Sequence, residues 1–240
     1  YMGDADFYKV PVNELSSGTY LAKRMSDFVT GKASNSAVIQ PGKIDGYESE
    51  ETTHLSVIDN EGNAVAVTTT LNGGYGSHTV VGGAGFFLNN EMDDFSIKPG
   101  VPNMYGAVGG EANAIVAGKR MLSSMTPTIV LKDGKVFLVV GTPGGTTIPT
   151  SVFQTLINIL EFNLSAEDAV NKPKFHHQWL PDQVDMERGF AESVTGDLKK
   201  MGYTINQRLG IGRTEVIKVL PDGSFEAIAD RRGEDAAAGY

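Results

Sequence analysis

The sequence predicts an α+β fold with antiparallel sheets. Three pairs of apolar or β-branched runs flank short turn sequences at residues 59–63, 132–135 and 221–223, the pattern of β-hairpins. Only a few segments between them have helical spacing, and no internal repeat is visible. Hairpins that alternate with a few helices are typical of the α+β class.

Residues 1–51 differ in composition and patterning from the rest of the chain. We expect a helix over residues 13–28, where apolar side chains recur near helical spacing and Gly31 follows. Residues 32–51 are rich in Ser, Gly and Asn and end in an acidic run, which predicts a linker. Because the chain begins at Tyr1, without an initiator Met, we interpret it as a fragment or a processed product.

The first hairpin begins at Thr52 and returns through residues 64–71. A short apolar strand is expected at residues 86–88. Residues 89–110 then form a polar loop of about twenty residues, rich in Pro and Gly, and loops of that length are usually functional or disordered.

The second half contains the other two hairpins, with strands expected at 128–131 and 136–140, and at 214–219 and 225–229. Three helices are expected at 149–161, 166–171 and 193–201. Pro149 suits the first turn of one helix, and Ser165 suits the N-cap of the next.

Composition excludes several classes of function. Lys and Arg number 20 against 29 Asp and Glu, so the net charge of −9 disfavours binding to nucleic acid or an anionic membrane through a general electrostatic field. There is no Cys, which excludes disulfides and thiolate chemistry. No apolar run approaches the roughly 20 residues that span a bilayer.

Common catalytic and cofactor motifs are missing. Gly-x-Ser-x-Gly and His-Glu-x-x-His do not occur, and the glycine clusters lack the Lys-Ser/Thr of a phosphate loop. His176 and His177 are adjacent, so on a strand they point to opposite faces and cannot both bind one metal ion. We therefore expect neither a metal ion nor a cofactor.

The boundary between Glu51 and Thr52 is the most informative local feature. An acidic linker ends there, at a Thr that begins a strand. If the chain is cut before Thr52, the freed α-amino group can act as the base that activates its own hydroxyl. On the residues alone, the plainer interpretation also stays open, namely that Thr52 is a β-former at the start of a strand.

Several motifs, in the same order, resemble the small subunit of gamma-glutamyltranspeptidase, an N-terminal-nucleophile hydrolase. The resemblance runs over residues 1–240 and is densest at 52–57, 59–72, 88–102, 122–128, 143–145 and 175–181. It implies an αββα sandwich, represented here by its C-terminal part. Residues 1–51 would be the tail of the large subunit, and residues 52–240 the catalytic small subunit.

The resemblance also implies an activity. Thr52 would first cleave the bond that follows Glu51, and would then transfer the γ-glutamyl group of glutathione or a similar donor to water, an amino acid or a peptide. The family's typical location, in the bacterial periplasm or outside the cell, would apply. Two alternatives stay open: an acylase acting on another amide, such as a β-lactam side chain or poly-γ-glutamate, and an uncleaved, inactive precursor or fragment.

The site residues follow from the same resemblance, position by position. Thr52 would be the nucleophile, Thr70 the residue that orients it, and Gly144 and Gly145 the oxyanion hole. The donor's α-amino group would be held by Asn72, Glu91 and Asp94. Its α-carboxylate would be held by Ser123 and Ser124, and Tyr105 would form a lid. Without the resemblance, Glu91 and Asp94 would be interpreted as solvated loop charges and the glycines as a plain turn.

Three features depart from the family pattern. The family's Arg that pairs with the donor carboxylate would lie in the part of the large subunit that this chain lacks. Glu51 and Thr52 are continuous, whereas a mature enzyme would carry them on separate chains. Thr146 and Thr147 replace the Ser-Arg that many members have after the two glycines.

Overall fold

A computed structural model of the chain describes residues 2–39, 52–101, 103, 109–179 and 181–240. The α-helices are α1 (Val12–Leu15), α2 (Gly18–Arg24), α3 (Ile148–Leu160), α4 (Ala166–Asn171) and α5 (Glu192–Met201). The strands are β1 (Thr52–Ile58), β2 (Ala64–Thr70), β3 (Thr128–Lys132), β4 (Lys135–Gly141), β5 (Phe175–His176), β6 (Val184–Glu187), β7 (Ile205–Arg208), β8 (Glu215–Val219) and β9 (Phe225–Ile228).

The strands form three sheets among the described residues. β1 and β2 are an antiparallel hairpin, and β3, β4, β8 and β9 form a four-stranded antiparallel sheet in that order. The third sheet has the order β5-β6-β7. All three predicted hairpins are present, and the α+β prediction is confirmed. Asp133 and Gly134 both have positive φ, 52° and 76°, as a tight two-residue hairpin turn requires.

The third sheet, β5-β6-β7, was not predicted from the sequence. β6 and β7 are parallel and flank α5, which makes a β-α-β crossover. Each strand has only four residues, of which two in β6 and three in β7 are polar or charged. β7 has neither an alternating pattern nor an apolar run, and the alternation in β6 covers only four residues, too few to identify a strand with certainty from sequence.

The layers are stacked as helix, sheet and sheet. α4 packs on β8 and β9, and α3 packs on α4 and β4, so both helices cover one face of the four-stranded sheet. Buried side chains from these elements form the core: Leu138, Val140, Val152, Ile159, Ala166, Ala169, Val170 and Val216. The β1–β2 hairpin packs on the opposite face, against β4 and β8.

The hairpin faces the second sheet with small and polar side chains. His54 is 5% exposed, and its ring lies directly on Gly141 of β4, where any side chain would overlap it. Its two ring nitrogens are 2.8 Å from Thr68 Oγ1 and 3.0 Å from Ser56 Oγ. The apolar residues of the hairpin instead point outward and are exposed: Leu55, Val57, Val65 and Val67.

Several sequence expectations need correction. The helix expected at residues 13–28 is two short helices, because Ser17 is extended and caps α2 by accepting the backbone N–H of Tyr20. No strand forms at residues 86–88, where Phe87 makes only an isolated bridge to Val80. The expected α3, α4 and α5 agree with the structure within one residue, and Ser165 caps α4 as predicted.

The predicted linker is only partly described. Residues 32–39 include a 3-10 helix at Ser36–Val38, whose first residue is bonded to Asp182 through both its backbone N–H and its hydroxyl. Residues 40–51, including Glu51, lie outside the described residues.

Candidate active site

Thr52 and Thr70 lie side by side at the open end of the hairpin, because the register pairs the first residue of β1 with the last of β2. The Thr52 hydroxyl donates to Thr70 Oγ1 over 3.4 Å. Thr70 Oγ1 also accepts the backbone N–H of Asn72 at 2.9 Å. The Thr70 hydroxyl therefore accepts from Thr52 on one strand and from the turn that follows β2.

The chain turns sharply after β2. Asn72 has a φ of 74° and is 5% exposed, and its side-chain amide donates to the carbonyl of Asn90 over 3.2 Å. Asn90 Oδ1 accepts the N–H of Gly73 at 2.8 Å, and Asn90 N–H donates to Leu71 at 3.1 Å. These bonds bring the segment that carries Glu91 and Asp94 next to the hairpin end.

A cavity of about 290 Å³ opens beside the Thr52 hydroxyl. It is lined by Thr52, Thr70, Asn72, Asp94, Asn103, Leu122, Ser123, Ser124, Gly145, Thr146, Ile148 and Pro149. Most of the predicted site residues thus come together, although they lie on five separate stretches of chain. Of the others, Glu91 and Gly144 are outside the lining, and Tyr105 lies outside the described residues.

The acidic wall of the cavity is formed by Asp94, and Glu91 lies three residues earlier, outside the lining. Burial raises the pKa of the Asp94 carboxyl, a hydroxyl bond from Ser124 at 2.9 Å partly opposes that shift, and the charge of Asp93 adds to it. Partial burial, followed by the charge of Asp94, also raises the pKa of Glu91. Carboxyl groups whose ionisation is disfavoured by burial and by neighbouring negative charge suit a cationic ligand, which would relieve that cost.

The two glycines form a tight turn before α3. Gly144 has a φ of 135°, and a Cβ on it would lie 2.6 Å from Thr147 Oγ1 and 3.2 Å from the Cα of Gly212. Its carbonyl accepts both the N–H and the hydroxyl of Thr147, at 3.0 and 2.7 Å. Because the turn leads directly into the 13-residue α3, the helix dipole favours negative charge here.

Some lining residues were not among the predicted site residues. Asn103, Leu122, Ile148 and Pro149 belong to this group, whereas Thr146 was noticed only as a departure from the family pattern. The Thr146 hydroxyl is bonded to Gln178 Oε1 at 2.5 Å. Arg213 donates to the Thr52 carbonyl over 3.4 Å from 161 positions away, a separation that no local motif reveals.

The adjacent histidines have separate environments. His176 is 3% exposed and contacts Thr150 and Gln178, whereas His177 Nε2 lies 3.4 Å from Asp182 Oδ1. No group of three or more His, Asp or Glu side chains suited to a metal ion occurs within the described ranges. None of the described helices is long and apolar enough to cross a membrane.

The packed sheets, the helical layer and a Thr hydroxyl at the start of β1 define an N-terminal-nucleophile hydrolase fold. A cephalosporin acylase from Bacillus halodurans shares that fold, with a TM-score of 0.80 and 24% identity, over 100% of this chain and 42% of the acylase chain. The family model described as gamma-glutamyltranspeptidase matches residues 1–240, and the chain belongs to that family.

Individual relatives agree with this assignment. The chain is 50% identical to the glutathione hydrolase proenzyme of Escherichia coli (strain K12) over 242 residues, which is 100% of this chain and 42% of that protein. A mutant gamma-glutamyltranspeptidase from Helicobacter pylori is 55% identical, with a TM-score of 0.72, over 75% of this chain and 100% of that solved chain. The chain therefore spans about two fifths of the length of the curated relatives it matches.

Proposed function

We propose that this chain is the C-terminal part of a γ-glutamyl transferase and hydrolase that uses Thr52 as its nucleophile. The observation that carries the proposal is the position of the Thr52 hydroxyl, at a cavity lined by an acidic wall and by two serines. A γ-glutamyl donor such as glutathione has an α-amino and an α-carboxylate group that match those two features.

The nucleophile would be created by cleavage of the chain. Thr52 Oγ attacks the carbonyl carbon of Glu51, the peptide C–N bond breaks as an ester forms, and water then hydrolyses that ester. The products are a Glu51 carboxylate and a free α-amino group on Thr52. That amino group has an ordinary pKa near 8, so it can accept the hydroxyl proton close to neutral pH.

The mature Thr52 would then act on the donor amide. Its oxygen attacks the γ-carbonyl carbon, and the backbone N–H groups of Gly144 and Gly145 stabilise the negative charge on the carbonyl oxygen. Expulsion of the amine leaves an acyl-enzyme, which water, an amino acid or a peptide resolves. Thr70 supports this role, because its hydroxyl holds Thr52 in position.

Donor binding is assigned to the two walls. The carboxylates of Glu91 and Asp94 and the amide oxygen of Asn72 would receive the α-amino group, and Ser123 and Ser124 the α-carboxylate. The Ser124 hydroxyl now donates to Asp94, so it would turn away from that carboxylate when the donor binds. Tyr105 is proposed to cover the bound donor.

The rest of the active enzyme would come from a large-subunit region. The outward face of the β1–β2 hairpin carries Leu55, Val57, Val65 and Val67, all at least 43% exposed. Exposed apolar faces of this kind mark an interaction surface, and we propose that the large-subunit region covers it and supplies the Arg for the donor carboxylate. The division into residues 1–51, as the tail of the large subunit, and residues 52–240, as the catalytic small subunit, is part of the same proposal.

The first test is the intact mass of the purified protein after incubation near neutral pH. We expect cleavage between residues 51 and 52 in the natural protein and in Thr53→Ala, whose exposed side chain points away from Thr70. Thr52→Ala should stay uncut. A single uncut mass for the natural sequence would favour the inactive-precursor alternative instead.

The second test concerns the substrate. We expect kcat/KM for γ-glutamyl amides to exceed that for amides without the α-amino and α-carboxylate groups, because the proposal assigns one cavity wall to each of those groups. Equal values, or a preference for a β-lactam side chain or poly-γ-glutamate, would assign the site to a different acylase. A periplasmic or secreted location is proposed from the family alone, and cell fractionation would check it.

A further inference from the structure

Asn113 connects the two walls of the cavity. One wall carries Asp94 and the other carries Ser123 and Ser124, about thirty residues further along the chain. The Asn113 side-chain amide donates to the backbone carbonyl of Asp94 at 2.7 Å, and its carbonyl oxygen accepts the backbone N–H of Leu122 at 2.9 Å. Because both partners are backbone groups of fixed polarity, the orientation of the amide is unambiguous.

The backbone around Asn113 is also fixed. Its own carbonyl accepts the N–H of Ser96 at 2.9 Å, which ties it to the chain just beyond Asp94. Lys119 Nζ donates to the carbonyls on either side of Asn113, those of Ala112 at 2.8 Å and Ala114 at 2.9 Å. Asn113 itself is 4% exposed. A buried amide with this many strong bonds has little freedom to move.

We propose that Asn113 is a positioning residue that sets the separation between the amino-binding and carboxylate-binding walls. This inference rests on the proposed function. The spacing of two charged groups is a fixed property of an α-amino acid, so a wall that shifts loses one of the two contacts. Asn113 lines no part of the cavity and touches no reacting atom, so it acts through Asp94 and Leu122.

Asn113→Asp in the full-length protein tests the proposal. The carboxyl group keeps the shape and can still accept from Leu122, but its second oxygen then faces the Asp94 carbonyl without a proton. We expect the donor KM to rise about tenfold, the cost of one lost buried hydrogen bond, while kcat changes less than about threefold. The nucleophile and the glycine turn lie on other elements, which is why kcat should be spared.

The pH dependence of the donor KM is a second readout. Protonation of the new carboxyl group restores a donor to the Asp94 carbonyl, so the ratio of variant KM to natural KM should fall as the pH is lowered. Asn171→Asp is the matched control, because Asn171 donates to a backbone carbonyl, that of Glu167, at 3.0 Å, away from the cavity lining. The control should leave the donor KM unchanged.

Hydrogen exchange separates this inference from the proposed function. In Asn113→Asp, the backbone amides of residues 94–96 and 122–124 should exchange faster than in the natural protein or the control. Unchanged exchange, or faster exchange with an unchanged donor KM, overturns the positioning role. If the natural protein shows no γ-glutamyl release, the proposed function fails and so does a role in donor binding, while exchange still reports whether Asn113 fixes the two walls.

Discussion

Glu91 and Asp94 illustrate how the site is controlled at the scale of single residues. Burial raises the pKa of each carboxyl, and the charge of Asp94 raises the pKa of Glu91 further. Ionised carboxylates are what a donor ammonium group requires, and the bound cation would in turn favour the ionised form. Donor binding and proton release at this wall should therefore be coupled.

We predict that the donor KM rises as the pH falls through the raised pKa values of these two groups. Both pKa values lie above the ordinary values of 3.8 for Asp and 4.5 for Glu, so the loss of binding begins at a higher pH than for exposed carboxyl groups. KM measured over a pH series checks this prediction. Asp94→Asn should raise the KM at neutral pH and weaken its pH dependence, and a KM profile identical to that of the natural protein would contradict the assignment.

At the scale of elements, the contact between His54 and Gly141 holds the β1–β2 hairpin against the four-stranded sheet. The ring of His54 lies where a side chain at position 141 would be, and the hydroxyls of Thr68 and Ser56 contact its nitrogens. Burial lowers the pKa of His54 to about 4, so the ring is neutral at physiological pH. This contact lies two residues from Thr52 and determines how close the hairpin approaches β4.

We predict that Gly141→Ala destabilises the protein by about 1 to 3 kcal/mol, the usual cost of overpacking a filled interior. The added methyl group would displace the His54 ring and move the hairpin away from β4. The free energy of unfolding from urea titration checks this prediction. Gly196→Ala is the control, because position 196 in α5 has open space around it and alanine favours a helix. Equal stabilities for the two variants would show that the close contact is unimportant.

At the scale of the whole molecule, the protein is acidic, and burial disfavours the ionised form of some of its carboxyl groups. Burial raises the pKa of Glu215 on β8 to about 7, and the charge of Asp235 adds to that shift while Arg213 opposes it. The folded state therefore binds a proton more tightly at Glu215 than the unfolded chain does. The resulting stability is fully present below the unfolded pKa of 4.5 and is lost as the pH rises through about 7.

We predict that Glu215→Gln reduces the loss of stability between pH 5 and pH 8. The contribution should be on the order of 1 to 2 kcal/mol, reduced from the full linkage value because Glu215 is partly exposed to solvent. Urea titrations of both proteins at the two pH values measure it. An identical pH dependence for the natural protein and the variant would mean that Glu215 ionises normally in the folded state.

Much of the local structure was determined by the sequence alone. The turn chemistry of Asp133 and Gly134 set a hairpin register, and Ser165 identified the start of α4. These signals act within a few residues, so they can be recognised without knowledge of the tertiary structure. The family motifs likewise predicted Thr52, Asp94 and Ser124 as site residues, and all three line one cavity.

Tertiary structure decided the rest, because packing joins residues that no local pattern connects. It placed the apolar residues of the β1–β2 hairpin outward, whereas alternation alone does not say which face is covered. It paired β6 with β7 across a helix, brought Arg213 to Thr52, and made Asn113 the link between Asp94 and Leu122. Each of these contacts depends on how close two elements lie in space. The spacing of apolar residues along the sequence does not determine that distance.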